Sequence, residues 1–132
     1  MLGEVIELQS LGDSRGGLIV AEAQRHIPFE IKRVYWIHST QAGVERGFHA
    51  HKVLRQVAVV VNGSCEIVLD DGNDTACIPM HASGAGVVIE PGIWHYMKNF
   101  TADCVLLVFA DAHYDEADYI RDHDEFVRSI ES

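Results

Sequence analysis

Arg46-Gly47-Phe48-His49-Ala50-His51-Lys52, continuing into Val53-Leu54-Arg55-Gln56, decides how the rest of this chain is read. In a β-strand the side chains at i and i+2 leave the same face. As a strand, this stretch turns His49 and His51 to one side and Phe48 and Ala50 to the other. Two imidazoles on one face make half of a metal site or an acid/base pair working near neutral pH. The alternative is a pair of solvated histidines in a turn. Arg46, Lys52 and Arg55 crowd the same stretch, a local basic cluster in a chain of net charge -10. The overall charge argues against nucleic acid as a partner, whereas the cluster suits a small anionic ligand.

Outward from this stretch the pattern stays extended. Leu54 to Val61 and Ser64 to Leu69 read as a central hairpin joined by Asn62-Gly63, a pair that tolerates the positive φ of a type I′ turn. Thr75 to Met80, Val87 to Ile89, Trp94 to Lys98 and Val105 to Ala110 read as further strands, with Asp71-Gly72 and Glu90-Pro91-Gly92 as turns. Toward the N-terminus, Glu4 to Leu8 is a short strand, Gly12 to Gly17 a turn and Leu18 to Ala21 a second strand. Ile27-Pro28-Phe29 is a bend. Ile31 to His38 is a strand with Arg33, Tyr35 and Ile37 on one face. Only the tail departs from a period of two, and Asp122 to Ile130 reads as a short helix.

About ten closely spaced strands with Gly-rich turns predict an all-β jelly-roll barrel, with a small-molecule site at its mouth. The 132 residues fit one domain, 1–132, with no internal repeat. The longest apolar runs are far too short to cross a bilayer. Met1-Leu2-Gly3-Glu4 lacks the basic start of a signal peptide. Cys65, Cys77 and Cys104 are odd in number and lie in or near apolar runs, so they read as reduced thiols. These features together predict a cytoplasmic protein away from membranes.

The spacings resemble the two half-motifs of the cupins. Gly43, His49, His51, Gln56 and Gly63 follow the first, with Gln where the pattern has Glu; Pro91, Gly92, His95 and Asn99 follow the second. The resemblance implies a cupin-type barrel whose mouth gathers His49, His51, Gln56 and His95. Replacing the carboxylate by an amide removes the anionic metal ligand, so no metal is expected.

A narrower resemblance covers nearly the whole chain. It rests on Asp13-Ser14-Arg15-Gly16, Ile31-Lys32-Arg33-Val34-Tyr35, Arg46 to Lys52 with Gln56, Asn62-Gly63-Ser64-Cys65, Leu69-Asp70-Asp71-Gly72, Trp94-His95, Tyr114-Asp115-Glu116 and Asp118-Tyr119-Ile120-Arg121. These are similar to the sugar-nucleotide 3,4-ketoisomerases, cofactor-free and metal-free cupins that act on dTDP-4-keto-6-deoxyglucose. They move its ketone from C4 to C3 on the route to 3-amino-3,6-dideoxy sugars of surface glycans. The resemblance also implies a homodimer with exchanged N-terminal strands. It pairs Arg15 with His95 as in the branch that leaves C4 in the galacto configuration; the gluco branch carries Tyr and Arg there.

The residue types suit that chemistry. A ketone shift to the neighbouring carbon needs a base near pH 7, an acid, and donors for the developing oxyanion, but no redox cofactor. His49 is the candidate base at C3, His51 the proton-delivering partner and Tyr35 the oxyanion donor. Arg46 and Lys52 are candidates for the diphosphate. Gln56 is a candidate to hydrogen-bond a histidine or a sugar hydroxyl. A 3,5-epimerase, a metal-dependent cupin and a non-catalytic sugar-binding cupin are the competing classes.

Overall fold

The computed structural model describes residues 2–131. Its strands are β1 (Val5–Glu7), β2 (Gln9–Asp13), β3 (Gly16–Val20), β4 (Arg33–Ile37), β5 (Arg46–His51), β6 (Gln56–Asn62), β7 (Ser64–Asp70), β8 (Thr75–His81), β9 (Ala85–Ile89), β10 (Trp94–Lys98), β11 (Val105–Ala110) and β12 (Tyr119–Ile120). A 3-10 turn at Glu116–Asp118 precedes β12, and the helix α1 (His123–Glu131) ends the described chain. One five-stranded sheet has the order β1-β9-β6-β11-β4 and the other β12-β5-β10-β7-β8; β2 and β3 form a separate hairpin. The two sheets face each other as the layers of a jelly roll. Their hydrogen-bond ladders do not join, so the expected barrel is a sandwich with open edges.

The apolar pattern explains the layering. Ala58 and Val60 of β6 point between the sheets and pack with Ile67, Leu69, Val87, Leu106 and Val108. Val57 and Val59 point the other way, where Ile27 and Phe29 cover them. A strand buried on both faces reads as a continuous apolar run, as Val57 to Val61 does. Ile67, Leu69 and Leu106 are fully buried, and each such side chain stabilises the fold by about 1.5–3 kcal/mol. On the outer face of the second sheet, Phe126 of α1 packs with Ala50, Trp94 and Ile120. This anchors the C-terminal segment beside β5.

Two local expectations are corrected. Asn62-Gly63 is not a hairpin turn: β6 lies in one sheet and β7 in the other, so the pair turns the corner between layers. Gly63 has φ 70, but Asn62 is not at positive φ, as a type I′ turn requires. The apolar character of β6 on both faces drives it between β9 and β11 rather than against β7. Gly63 is needed for another reason: a Cβ there would lie 2.8 Å from Cys104 Cα. The hairpin proper is β7–β8, in register from Ser64↔His81 to Asp70↔Thr75. The expected turn over Gly12 to Gly17 also shrinks, because Gln9–Asp13 pairs with Gly16–Val20 around Ser14 and Arg15. β2 is exposed throughout and so carries no burial alternation to announce it.

The cysteines are free, with Cys65 and Cys104 buried and Cys77 exposed. No helix among the described residues is long and apolar enough to cross a membrane.

Candidate active site

β5 and β10 bring three histidines together. His49 and His95 are direct cross-strand partners, and His51 follows two residues later on the same face as His49. The ladder then skips from His95↔His49 to Tyr96↔Gly47. Phe48 is the extra residue of a bulge, at φ 57, and stacks on Tyr96 with ring centroids 4.6 Å apart. Gly47 sits at φ 106 because a Cβ would come 2.9 Å from Tyr96 Cα. The Arg-Gly-Phe-His run is therefore a backbone device that aims His49 into the space between the sheets.

The imidazole centroids are 5.0 Å apart for His49–His51, 4.7 Å for His49–His95 and 5.8 Å for His51–His95. Each ring is anchored through Nδ1. His49 Nδ1 lies 3.1 Å from the Gly47 carbonyl, His95 Nδ1 3.1 Å from the Ile93 carbonyl and His51 Nδ1 3.2 Å from Asp118 Oδ2. An Nδ1–H donated to each acceptor leaves every Nε2 with a free lone pair. Burial, reinforced by His51, lowers the His49 pKa to about 4. Full burial, reinforced by His49, lowers that of His95 to about 3. His51 is also lowered by burial, and Asp118 opposes the shift. At neutral pH these are uncharged imidazoles able to accept protons. One ring nitrogen from each lies within 4.8 Å of the others, with no carboxylate in the set. Three neutral imidazoles so placed can pass protons among themselves, and the same donor set suits a zinc-type ion.

The first sheet supplies the opposite wall. Gln56 Nε2 donates to Tyr35 Oη at 3.0 Å. Burial, reinforced by Tyr119, pushes the Tyr35 pKa up to about 12, so the phenol stays protonated. Because its oxygen already accepts from Gln56, its own hydrogen is left to donate elsewhere. Arg33 lies over Tyr35 and Tyr114, 5.4 Å and 5.9 Å from their ring centroids, and its buried Nε has no partner. A cavity of about 340 Å³ is lined by Arg33, Tyr35, Arg46, His49, Tyr114 and Tyr119 among others. A neighbouring one of about 220 Å³ is lined by Arg33, His51, His113, Asp115, Asp118 and Tyr119 among others. Tyr119 is the partition, its ring 5.0 Å from His49 and 4.4 Å from His51. Arg121 lies 4.1 Å over the Tyr119 ring and pairs with Glu116.

The structure thus brings His49, His51 and His95 together, sets Gln56 against Tyr35, and places Arg46 on the wall of the cavity that holds His49 and Tyr35. Lys52 is exposed and lines neither cavity. Arg55 is turned away to Glu90 and the Pro28 carbonyl. The basic cluster at the histidines is thus Arg46 with Arg33. Arg15 sits at the β2–β3 tip, paired with Asp13, and lines neither cavity. Sequence reasoning missed Arg33, Asp118 and Tyr119 as site residues. Arg33 shares the inner face of β4 with Tyr35, a signal that was present. Asp118 reaches His51 across 67 residues, and no local spacing announces that.

The chain is similar to known proteins over nearly its whole length. The family model described as FdtA: WxcM-like, C-terminal matches residues 2–131. The TDP-4-oxo-6-deoxy-alpha-D-glucose-3,4-oxoisomerase of Aneurinibacillus thermoaerophilus is 47% identical over 130 residues, 98% of this chain and 94% of that protein. Among solved structures, a 3,4-ketoisomerase from Helicobacter canadensis superposes with a TM-score of 0.95 at 42% identity, covering 98% of both chains. A variant of the 3,4-ketoisomerase QdtA from Thermoanaerobacterium thermosaccharolyticum, in complex with TDP-4-keto-6-deoxyglucose, gives a TM-score of 0.95 at 37% identity. It covers 98% of this chain and 94% of its own.

Proposed function

The chain belongs to the FdtA (WxcM-like, C-terminal) family, and from that premise we propose that it is a 3,4-ketoisomerase of dTDP-4-keto-6-deoxyglucose. The observation that carries the reading is the cluster of three uncharged imidazoles, of which His49 shares one cavity with the protonated Tyr35.

The substrate has a C3–H, a C3 hydroxyl and a C4 ketone; the product has a C3 ketone and a C4 hydroxyl. His49 removes the proton from C3. The C–H electron pair becomes the C3–C4 double bond, and the C4 oxygen takes the negative charge. Tyr35 donates to that oxyanion, a role its raised pKa supports. A proton is returned to C4 by His51, while the C3 hydroxyl proton is given up and O4 gains one. The two carbons exchange oxidation states, so no electron leaves the sugar and no cofactor is required. Arg46, which lines the His49 cavity, is assigned to the diphosphate, Lys52 lying outside both cavities, and Gln56 to holding Tyr35. The Arg15/His95 pair assigns the galacto product, on the route to 3-amino-3,6-dideoxy sugars.

Arg15 requires a second chain to take part. Val34, Trp36 and Val61, on the outer face of the first sheet, and Leu11, Leu18 and Ile19, on the hairpin, are large apolar side chains left exposed. β4 is also an edge strand. A homodimer that exchanges the N-terminal strands covers this face and carries the hairpin, with Arg15, to the neighbouring cavity. Sedimentation equilibrium should report a dimer; a monomer at micromolar concentration would leave Arg15 without a role. We place the enzyme in the cytoplasm, the compartment its free cysteines suit.

The double substitution His49→Asn/His51→Asn tests the chemistry. It should preserve the fold by circular dichroism and abolish formation of the 3-keto sugar. Turnover retained in that variant would refute the mechanism.

A further inference from the structure

The three imidazoles are each anchored through Nδ1, but what holds them differs. His49 and His95 lean on backbone carbonyls. His51 leans on a carboxylate, at 3.2 Å. His51 is 2% exposed and Asp118 13%, so the contact is shielded from solvent. A proton on His95 would be stabilised by a carbonyl dipole and one on His49 by a carbonyl dipole with Glu116 at longer range, whereas a proton on His51 forms an ion pair in direct contact.

Asp118 is also fixed. Its Oδ1 accepts from Val53 N at 2.8 Å and its Oδ2 from Leu54 N at 3.2 Å. Its carbonyl accepts from Lys52 N at 2.9 Å. The turn after β5 is thereby laced to the 3-10 turn before β12, and the carboxylate stays behind His51. On the opposite edge of the ring, His51 Nε2 is buried with no hydrogen-bond partner. An imidazole with a carboxylate on Nδ1 and an open Nε2 is built to accept a proton and return it.

Resting on the ketoisomerase reading, we propose that Asp118 is a positioning residue that makes His51 the imidazole on which the migrating proton is held between C3 and C4. When the C3–H bond breaks, the proton passes from His49 to His51, while its former bonding pair forms the C3–C4 double bond. It returns to carbon at C4 as the C3 carbonyl forms. The charged and titratable groups around His51 are Asp118, Arg33 and Arg121, His49 and His95, and Tyr119. His113 and Asp115 line the same cavity. Asp118 is the carboxylate in contact with the ring, and Arg33 and Arg121 oppose it.

The test combines turnover with nitrogen-15 NMR of the histidine rings. Asp118→Asn keeps one oxygen, enough for the Val53 amide, and loses the charge and the second acceptor. Its kcat should fall by about 10²-fold or more, the size of a general acid–base contribution, with KM unchanged. The His51 protonation midpoint should fall in the same variant. Wild-type kcat, or an unchanged His51 midpoint, would overturn the proposal. The unmodified protein gives an independent reading: as pH is lowered, His51 should protonate before His49 and His95. Either of the others protonating first would overturn the proposal even if Asp118→Asn fails to fold. If the unmodified protein shows no ketoisomerase turnover, the functional reading falls, while the titration order still judges the effect of Asp118.

Discussion

His95 makes the fold acid-sensitive by an amount that can be worked out. Its pKa falls from 6.5 to about 3 because the ring is entirely buried beside His49. The unfolded chain takes up the proton as pH drops through 6.5, but the folded chain does not until near 3. Between those values the unfolded state holds more protons, so stability is full above pH 6.5 and is lost as pH falls. At about pH 4.5 the gap is roughly two pH units, or about 3 kcal/mol from this one ring. The assay is urea unfolding of the protein and of His95→Asn at about pH 7.5 and 4.5. The packing cost of the substitution appears at both pH values and cancels in the difference. The unmodified protein should lose about 3 kcal/mol more than the variant on acidification. Equal losses would refute the claim that His95 is held neutral by burial, and with it the view that the cluster is uncharged at working pH.

Tyr35→Phe removes the oxyanion donor while leaving its ring in place; kcat should fall by about 10²-fold with little change in KM, measured by product formation. Gly63→Ala puts a methyl group at φ 70 against Asp103 and Cys104 at the corner between the sheets; chemical denaturation should show a loss of about 1–3 kcal/mol. Arg15→Tyr combined with His95→Arg should turn the C4 configuration of the product from galacto to gluco, read from the C4 proton coupling. An unchanged galacto pattern would remove Arg15 and His95 from stereocontrol.

The parts of the fold legible in the sequence are those governed by local periodicity. Arg33 to Ile37 alternates and forms a strand with Tyr35 facing inward; His49 and His51 share a face as i and i+2 require. What local rules missed depends on partners far away in the chain. Asn62-Gly63 has the composition of a hairpin, but the choice between pairing β6 with β7 or with β9 and β11 is made by burial of β6 on both faces. The site divides in the same way. The histidines and Gln56 follow from motif spacing, Tyr35 from the face of its strand and Arg46 from the basic residues beside the histidines. Asp118 and Tyr119 arrive from a short segment held by the β12–β5 pairing, Tyr119↔His51 and Ile120↔Ala50, and by Phe126 on the outer face of the sheet. Their places follow from tertiary packing rather than from any pattern around them.

The most direct test of the central claim is to incubate EDTA-treated protein with dTDP-4-keto-6-deoxyglucose in deuterated water and follow the sugar by NMR. A 3-keto-6-deoxyhexose nucleotide should appear without added metal, with deuterium at C4 where solvent exchange reaches the migrating proton. Deuterium entering at C3 or C5 while the ketone stays at C4 would contradict the account and make the protein an epimerase.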